Sequence, residues 1–115
     1  MEVTREEVMH TLTSARMYTF GLLLDGRNIP QTETQKKEME ALQMEHLKYL
    51  FTLKKLGKLP LFGPLTDGGS IHGILIFDTE SQEEAKKLMD EDPFVKHGYL
   101  NFELHPYYGL PGDRI

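Results

Sequence analysis

An imidazole and a carboxylate stand where apolar side chains are expected, and together they could move protons. His46 falls near the centre of an apolar arc of Met39, Leu42, Leu50 and Leu53, with Tyr49 and Leu56 flanking. That arc appears when the segment is drawn as a helix at about 100° per residue. An imidazole on such a face must find a hydrogen-bond partner or lose solvation free energy. Histidine is also the side chain whose ordinary charge change lies nearest neutral pH. Asp92 continues a second inward stripe, Ala85, Leu88 and Met89, at the C-terminal end of its own segment. A helix dipole opposes a carboxylate there by about 0.3–1 kcal/mol. Aimed inward from two helices on one sheet face, the two groups could hydrogen-bond. The carboxylate would then fix the imidazole tautomer and raise its basicity for proton transfer. Each residue also has a plainer reading. His46 could be a satisfied core histidine, and Asp92-Pro93 could simply begin a turn, with Asp capping and Pro fixing φ.

Other reactive side chains give weaker signals. His10, His72, His97 and His105 show neither H-x-x-x-H nor H-x-H spacing, so no metal site is expected. His105 shares a strand face with Glu103 and Asn101, which suits a polar pocket wall or a dimer interface. The loop from Gly63 to Gly69 has no GxGxxG or Walker pattern, and its glycines suit a hairpin better than a phosphate cradle. Ser14, Ser70 and Ser81 lack the surroundings of an activated nucleophile. The run Asp90-Glu91-Asp92 otherwise reads as a solvated helix end. With no cysteine, the chain has no disulfide, no thiolate nucleophile and no Cys-type zinc or iron–sulfur site.

The elements that must position these residues follow from periodicity and punctuation. Thr4-Arg5-Glu6-Glu7 matches a capping box and predicts a short helix to about Leu12. Met17 to Leu24 is apolar on both alternating sets, as in a strand covered on both faces. Asp25 to Pro30 supplies turn chemistry before the long helix, about Glu33 to Leu56, which Gly57 stops after Lys54 and Lys55. Two strands follow, around Lys58 to Phe62 and His72 to Asp78, joined by a loop containing Asp67-Gly68. Ser81-Gln82-Glu83-Glu84 is a second capping box and opens a helix that Asp92-Pro93 ends. A last strand, Tyr99 to His105, precedes a tail, Pro106 to Ile115, expected to be irregular.

The order is β-α-β-β-α-β after an N-terminal helical extension (residues 1–15), with the domain proper at 16–115. That is the ferredoxin-like α+β pattern, a four-stranded antiparallel sheet with both helices on one face. The opposite sheet face also carries apolar side chains, and a second copy of the chain is its simplest cover. A homodimer packed sheet against sheet is therefore expected.

The whole chain sets bounds on function. Its 115 residues are enough for one domain with a genuine core and too few for two. A net charge of −5 argues against nucleic acid or an anionic membrane as partner. No apolar run reaches the roughly 20 residues that span a bilayer. The acidic residues Glu6 and Glu7 make the first segment unlike a signal peptide, so a cytoplasmic protein is expected.

An ordered set of motifs resembles the YCII-related (YciI-like) family. It starts with His46-Leu47-Lys48-Tyr49-Leu50, Leu53 and Gly57-Lys58-Leu59, then Gly63-Pro64, Asp67-Gly68, Gly73 and Phe77. It continues with Ser81, Glu84-Ala85 and Asp92-Pro93-Phe94-Val95-Lys96, and closes on Gly98-Tyr99, Glu103 and His105-Pro106. The resemblance runs from about Tyr18 to Tyr108 and implies a ferredoxin-like fold assembled as a dimeric α/β barrel. It implies that His46 and Asp92 form an active-site pair. Tyr49, Gly63, Pro64, Asp67 and His105 are the expected substrate-binding positions, with no cofactor and no metal. One related member is linked to dehydrochlorination of a chlorinated hydroxyquinol. The expectation is a small dimeric isomerase or lyase that uses the His–Asp pair for metal-independent acid–base chemistry on a small cyclic or aromatic metabolite. The alternative is a non-catalytic ligand-binding or accessory dimer module. The two differ in whether a retained compound is turned over.

Overall fold

Hydroxyl side chains start the three longer helices. The structure, a computed structural model, describes residues 1–115. Thr4 accepts from the Glu7 N–H and opens α1 (Arg5–Leu12). Thr32 accepts from the Gln35 N–H while the Gln35 side chain accepts from the Thr32 N–H, a complete capping box that opens α2 (Glu33–Lys55). Ser81 accepts from the Glu84 N–H and opens α3 (Gln82–Asp90). Each such cap is worth about 1 kcal/mol. A short helix, α4 (Pro93–Lys96), follows α3 directly. The strands are β1 (Arg16–Asp25), β2 (Leu61–Pro64), β3 (Ile71–Phe77) and β4 (Leu100–Gly109).

The strands form one antiparallel sheet in the order β2-β3-β1-β4. Helices α2 and α3 lie on one face. The core between them and the sheet is Leu50 and Leu53 of α2, Ala85 and Met89 of α3, and Leu23, Leu75 and Phe77 of the strands, with Leu59. Truncating any of the larger ones to alanine costs about 2–5 kcal/mol. This is the expected ferredoxin-like α+β arrangement. On the opposite face Tyr18, Phe20, Leu22, Leu24, Ile74 and Ile76 are half-buried, and β4 presents Asn101, Glu103 and His105.

Several local expectations are corrected. After α2, Gly57 adopts a positive φ of 79°, and the N–H groups of Gly57 and Lys58 close back on the carbonyls of Lys54 and Leu53. That helix stop occupies the backbone at Lys58, so β2 begins only at Leu61. The last strand does not end at His105. It runs through Pro106 to Gly109 along β1, because β4 is an edge strand and can tolerate a residue without an N–H. The stripe on α2 is also shorter than its periodicity implied. Met39 and Leu42 are half-buried and Leu56 is exposed. Along this helix of 23 residues, about 35 Å long, only His46, Leu50 and Leu53 are buried. Residues 1–14 are exposed throughout, and α1 buries none of its side chains. No helix is long and apolar enough to cross a membrane.

Candidate active site

His46 reaches the interior because it shares the buried face of α2 with Leu50 and Leu53, one and two turns further on. Asp92 reaches the same place from the junction between α3 and α4. Its backbone N–H donates to the Met89 carbonyl and its carbonyl accepts from the Lys96 N–H, so both sides of the residue are held. Its carboxylate caps α4, with Oδ1 accepting from the Phe94 N–H at 3.0 Å, and Pro93 fills the first helical position. The expected opposition from the dipole of α3 is therefore replaced by a capping role. The plainer reading of Asp92-Pro93 and the chemical one describe one geometry.

Both Asp92 carboxylate oxygens lie 2.9 Å from His46 Nδ1. Asp92 is fully buried and the His46 side chain is 8% exposed. A carboxylate already accepting a backbone N–H fixes the neutral imidazole as its Nδ1–H tautomer, which leaves the lone pair on Nε2. Nε2 has no hydrogen-bond partner in the chain, yet it is not sealed from solvent, since no buried polar side-chain atom lacks a partner. The imidazole stacks on Phe94, with centroids 4.6 Å apart and planes 15° from parallel. Asp92 and Phe94 therefore set both the rotation and the tilt of the ring.

His46 lines a cavity of about 330 Å³ between α2 and the β2–β3 edge. Leu23, Leu47, Leu50, Phe62, Leu75, Phe94 and Leu100 supply apolar wall, and Gln43, His46 and His72 supply the polar groups. Such a volume is at the small end of ligand pockets and suits a single ring. A larger groove of about 840 Å³ lies under the tail on the opposite sheet face, but it is lined by no histidine. No three His, Cys, Asp or Glu side chains converge anywhere in the chain.

The other expected site residues separate into two groups. Gly63 and Pro64 line the cavity with His46. Tyr49, Asp67 and His105 do not. The Tyr49 hydroxyl donates to the Leu88 carbonyl at 2.6 Å, tying α2 to α3. Burial, helped by the charges of Glu91 and Asp92, pushes that phenol up to about 12. Asp67 turns back to accept from the Gly69 N–H in the β2–β3 loop. His105 lies beside Glu103 on the open face of the sheet, because β4 sends Leu100, Phe102 and Leu104 to the helix side. Sequence reasoning passed over Phe94 and His72 as cavity residues. Phe94 follows the Asp-Pro pair directly, and that position was its only signal.

No curated protein matches the chain. Solved structures do, among them the following two. Over 76% of this chain and 90% of its own, 5-chloro-2-hydroxyhydroquinone dehydrochlorinase from Burkholderia phenoliruptrix, in complex with 2,5-dihydroxybenzoquinone, is 25% identical with a TM-score of 0.52. Muconolactone isomerase is 12% identical over 84% of this chain and 93% of its own, with a TM-score of 0.60, a likeness of fold. The family model for the YCII-related domain matches residues 26–104.

Proposed function

The chain belongs to the YCII-related family, and we propose that it is a small isomerase or lyase whose His46–Asp92 pair performs acid–base chemistry on an oxygenated cyclic compound. The observation that carries this reading is the buried Nδ1–carboxylate contact that leaves Nε2 of His46 unpartnered on the cavity. Nε2 is the proton-transfer atom, and Asp92 is the positioning residue that holds the tautomer and stabilises the imidazolium as it forms.

The dehydrochlorinase likeness suggests the substrate class, a hydroxylated ring carrying a leaving group. On such a ring Nε2 takes a hydroxyl proton and the ring gains a proton at the chlorine-bearing carbon. Chloride then leaves with the bond electrons as a second hydroxyl loses its proton. The sum is loss of HCl and conversion of two hydroxyls to carbonyls, with no external oxidant. An isomerisation uses the same steps without a leaving group. The apolar wall suits the ring, and partial exclusion of water strengthens each polar contact it makes.

The working unit in this reading is a homodimer packed sheet against sheet. The half-buried row of Tyr18, Phe20, Leu22, Leu24, Ile74 and Ile76 supports it. Light scattering should give twice the mass of the chain.

The test uses 5-chloro-2-hydroxyhydroquinone and follows chloride release. Replacing His46 with Asn should lower the rate by about 10²–10⁴-fold. A folded His46→Asn variant that releases chloride at the wild-type rate refutes the reading. Binding of 2,5-dihydroxybenzoquinone with no turnover of any hydroxylated ring would favour a ligand-binding module instead.

A further inference from the structure

A second histidine–aspartate pair has its histidine on the same cavity. Strands β1 and β3 pair regularly from Thr19–Phe77 to Leu23–Gly73, and the next partners are Leu24 and Ile71. His72 is the residue left over, the extra position of a β-bulge. Bulges re-aim side chains and concentrate beside active sites. This one places His72 among the cavity-lining residues with His46. Its backbone is held, since the His72 carbonyl accepts from the Leu65 N–H and the Asp25 N–H donates to the Ser70 carbonyl. His72 Nε2 is hydrogen-bonded to Oδ1 of Asp25, the last residue of β1. Its Nδ1 makes no hydrogen bond within the chain.

The two pairs are complementary. Asp92 holds His46 through Nδ1 and leaves Nε2, whereas Asp25 holds His72 through Nε2 and leaves Nδ1. Moving a proton across a ring, or eliminating HCl from one, deprotonates one atom and protonates another. One imidazole locked in plane by Asp92 and Phe94 is poorly placed to face both. We propose that His72, positioned by Asp25, is the second proton-transfer group of this cavity. It delivers the proton to ring carbon that His46 does not supply. Its side chain is 43% exposed, so it can take a fresh proton from water between turnovers. The two reacting faces are thus a dry one at His46 and a wet one at His72. This assignment rests on the reading of His46 as an acid–base group.

The test uses the whole chain, with 2,5-dihydroxybenzoquinone as binding probe and 5-chloro-2-hydroxyhydroquinone as turnover probe. In isotope-labelled protein the quinone should move the imidazole resonances of both His46 and His72. Movement of His46 alone overturns the proposal while leaving His46 in its role, and movement of neither overturns both. His72→Ala, at an exposed position, should fold and still bind the quinone, but release chloride about 10²-fold more slowly. Added imidazole, which can enter the vacated exposed position, should restore much of that rate. Unchanged chloride release in His72→Ala overturns the proposal, and so does a loss that imidazole does not restore, which would make the residue's role structural. If the wild-type chain releases no chloride, the substrate class fails and the imidazole resonances alone decide the role of His72.

Discussion

The two histidine–aspartate pairs use the same functional groups in opposite surroundings. His46 and Asp92 are 8% and 0% exposed, whereas His72 and Asp25 are 43% and 57% exposed. The buried pair joins α2 to the α3–α4 junction and caps α4, so breaking it strands a carboxylate in the core. The exposed pair joins two strand ends that the sheet already holds together. Water can replace either partner there at little cost. Burial therefore makes one pair part of the fold, while the exposed pair adds little to it.

Aspartate truncation breaks this comparison most directly. Asp92→Ala should cost about 3–5 kcal/mol in chemical denaturation, because the cap and the imidazole partner are lost together. Asp25→Ala should stay within about 1 kcal/mol of wild type in the same assay. Equal losses would show that the two environments do not differ as described. Phe94→Leu should cost about 1–3 kcal/mol and free the His46 ring plane, visible as broadened imidazole resonances for His46 and not for His72.

Tyr49 sharpens the comparison from the buried side. Its folded phenol, raised to about 12 chiefly by burial, lies above the unfolded value near 10. The folded state thus keeps a proton that the unfolded state releases between those values. The contribution is whole below about pH 10 and is lost as pH rises toward about 12. Tyr49→Phe should flatten that alkaline fall in the denaturation midpoint. The smallest expected effect is that of salt. Raising ionic strength to about 1 M, where screening acts within about 3 Å, should weaken the His72–Asp25 contact and leave His46–Asp92 unchanged in imidazole spectra.

Much of this was legible in the chain because its signals are local. The period of α2 put His46 among leucines, Asp92-Pro93 marked the end of α3, and Gly57 marked the stop of α2 at a positive φ. Other features depend on contacts that no local pattern encodes. The bulge that brings His72 to the cavity is a mismatch between two strands far apart in sequence, so strict alternation gave no warning of it. Tyr49 sits beside the His46 stripe, but which carbonyl its hydroxyl meets depends on where α3 docks. Likewise Met39 and Leu42 repeat with helical spacing, yet the fold leaves both only half-buried.

Residue order alone determined that His46 would face inward, since side-chain direction follows from the helix repeat, and marked Asp92-Pro93 as a helix boundary. Tertiary structure decided that His46 and Asp92 meet within hydrogen-bond distance, that Asp92 also caps α4, and that His72 of a second pair reaches the same cavity. Those outcomes turn on differences of an ångström or two between elements distant in sequence. Only the packed core holds such separations constant.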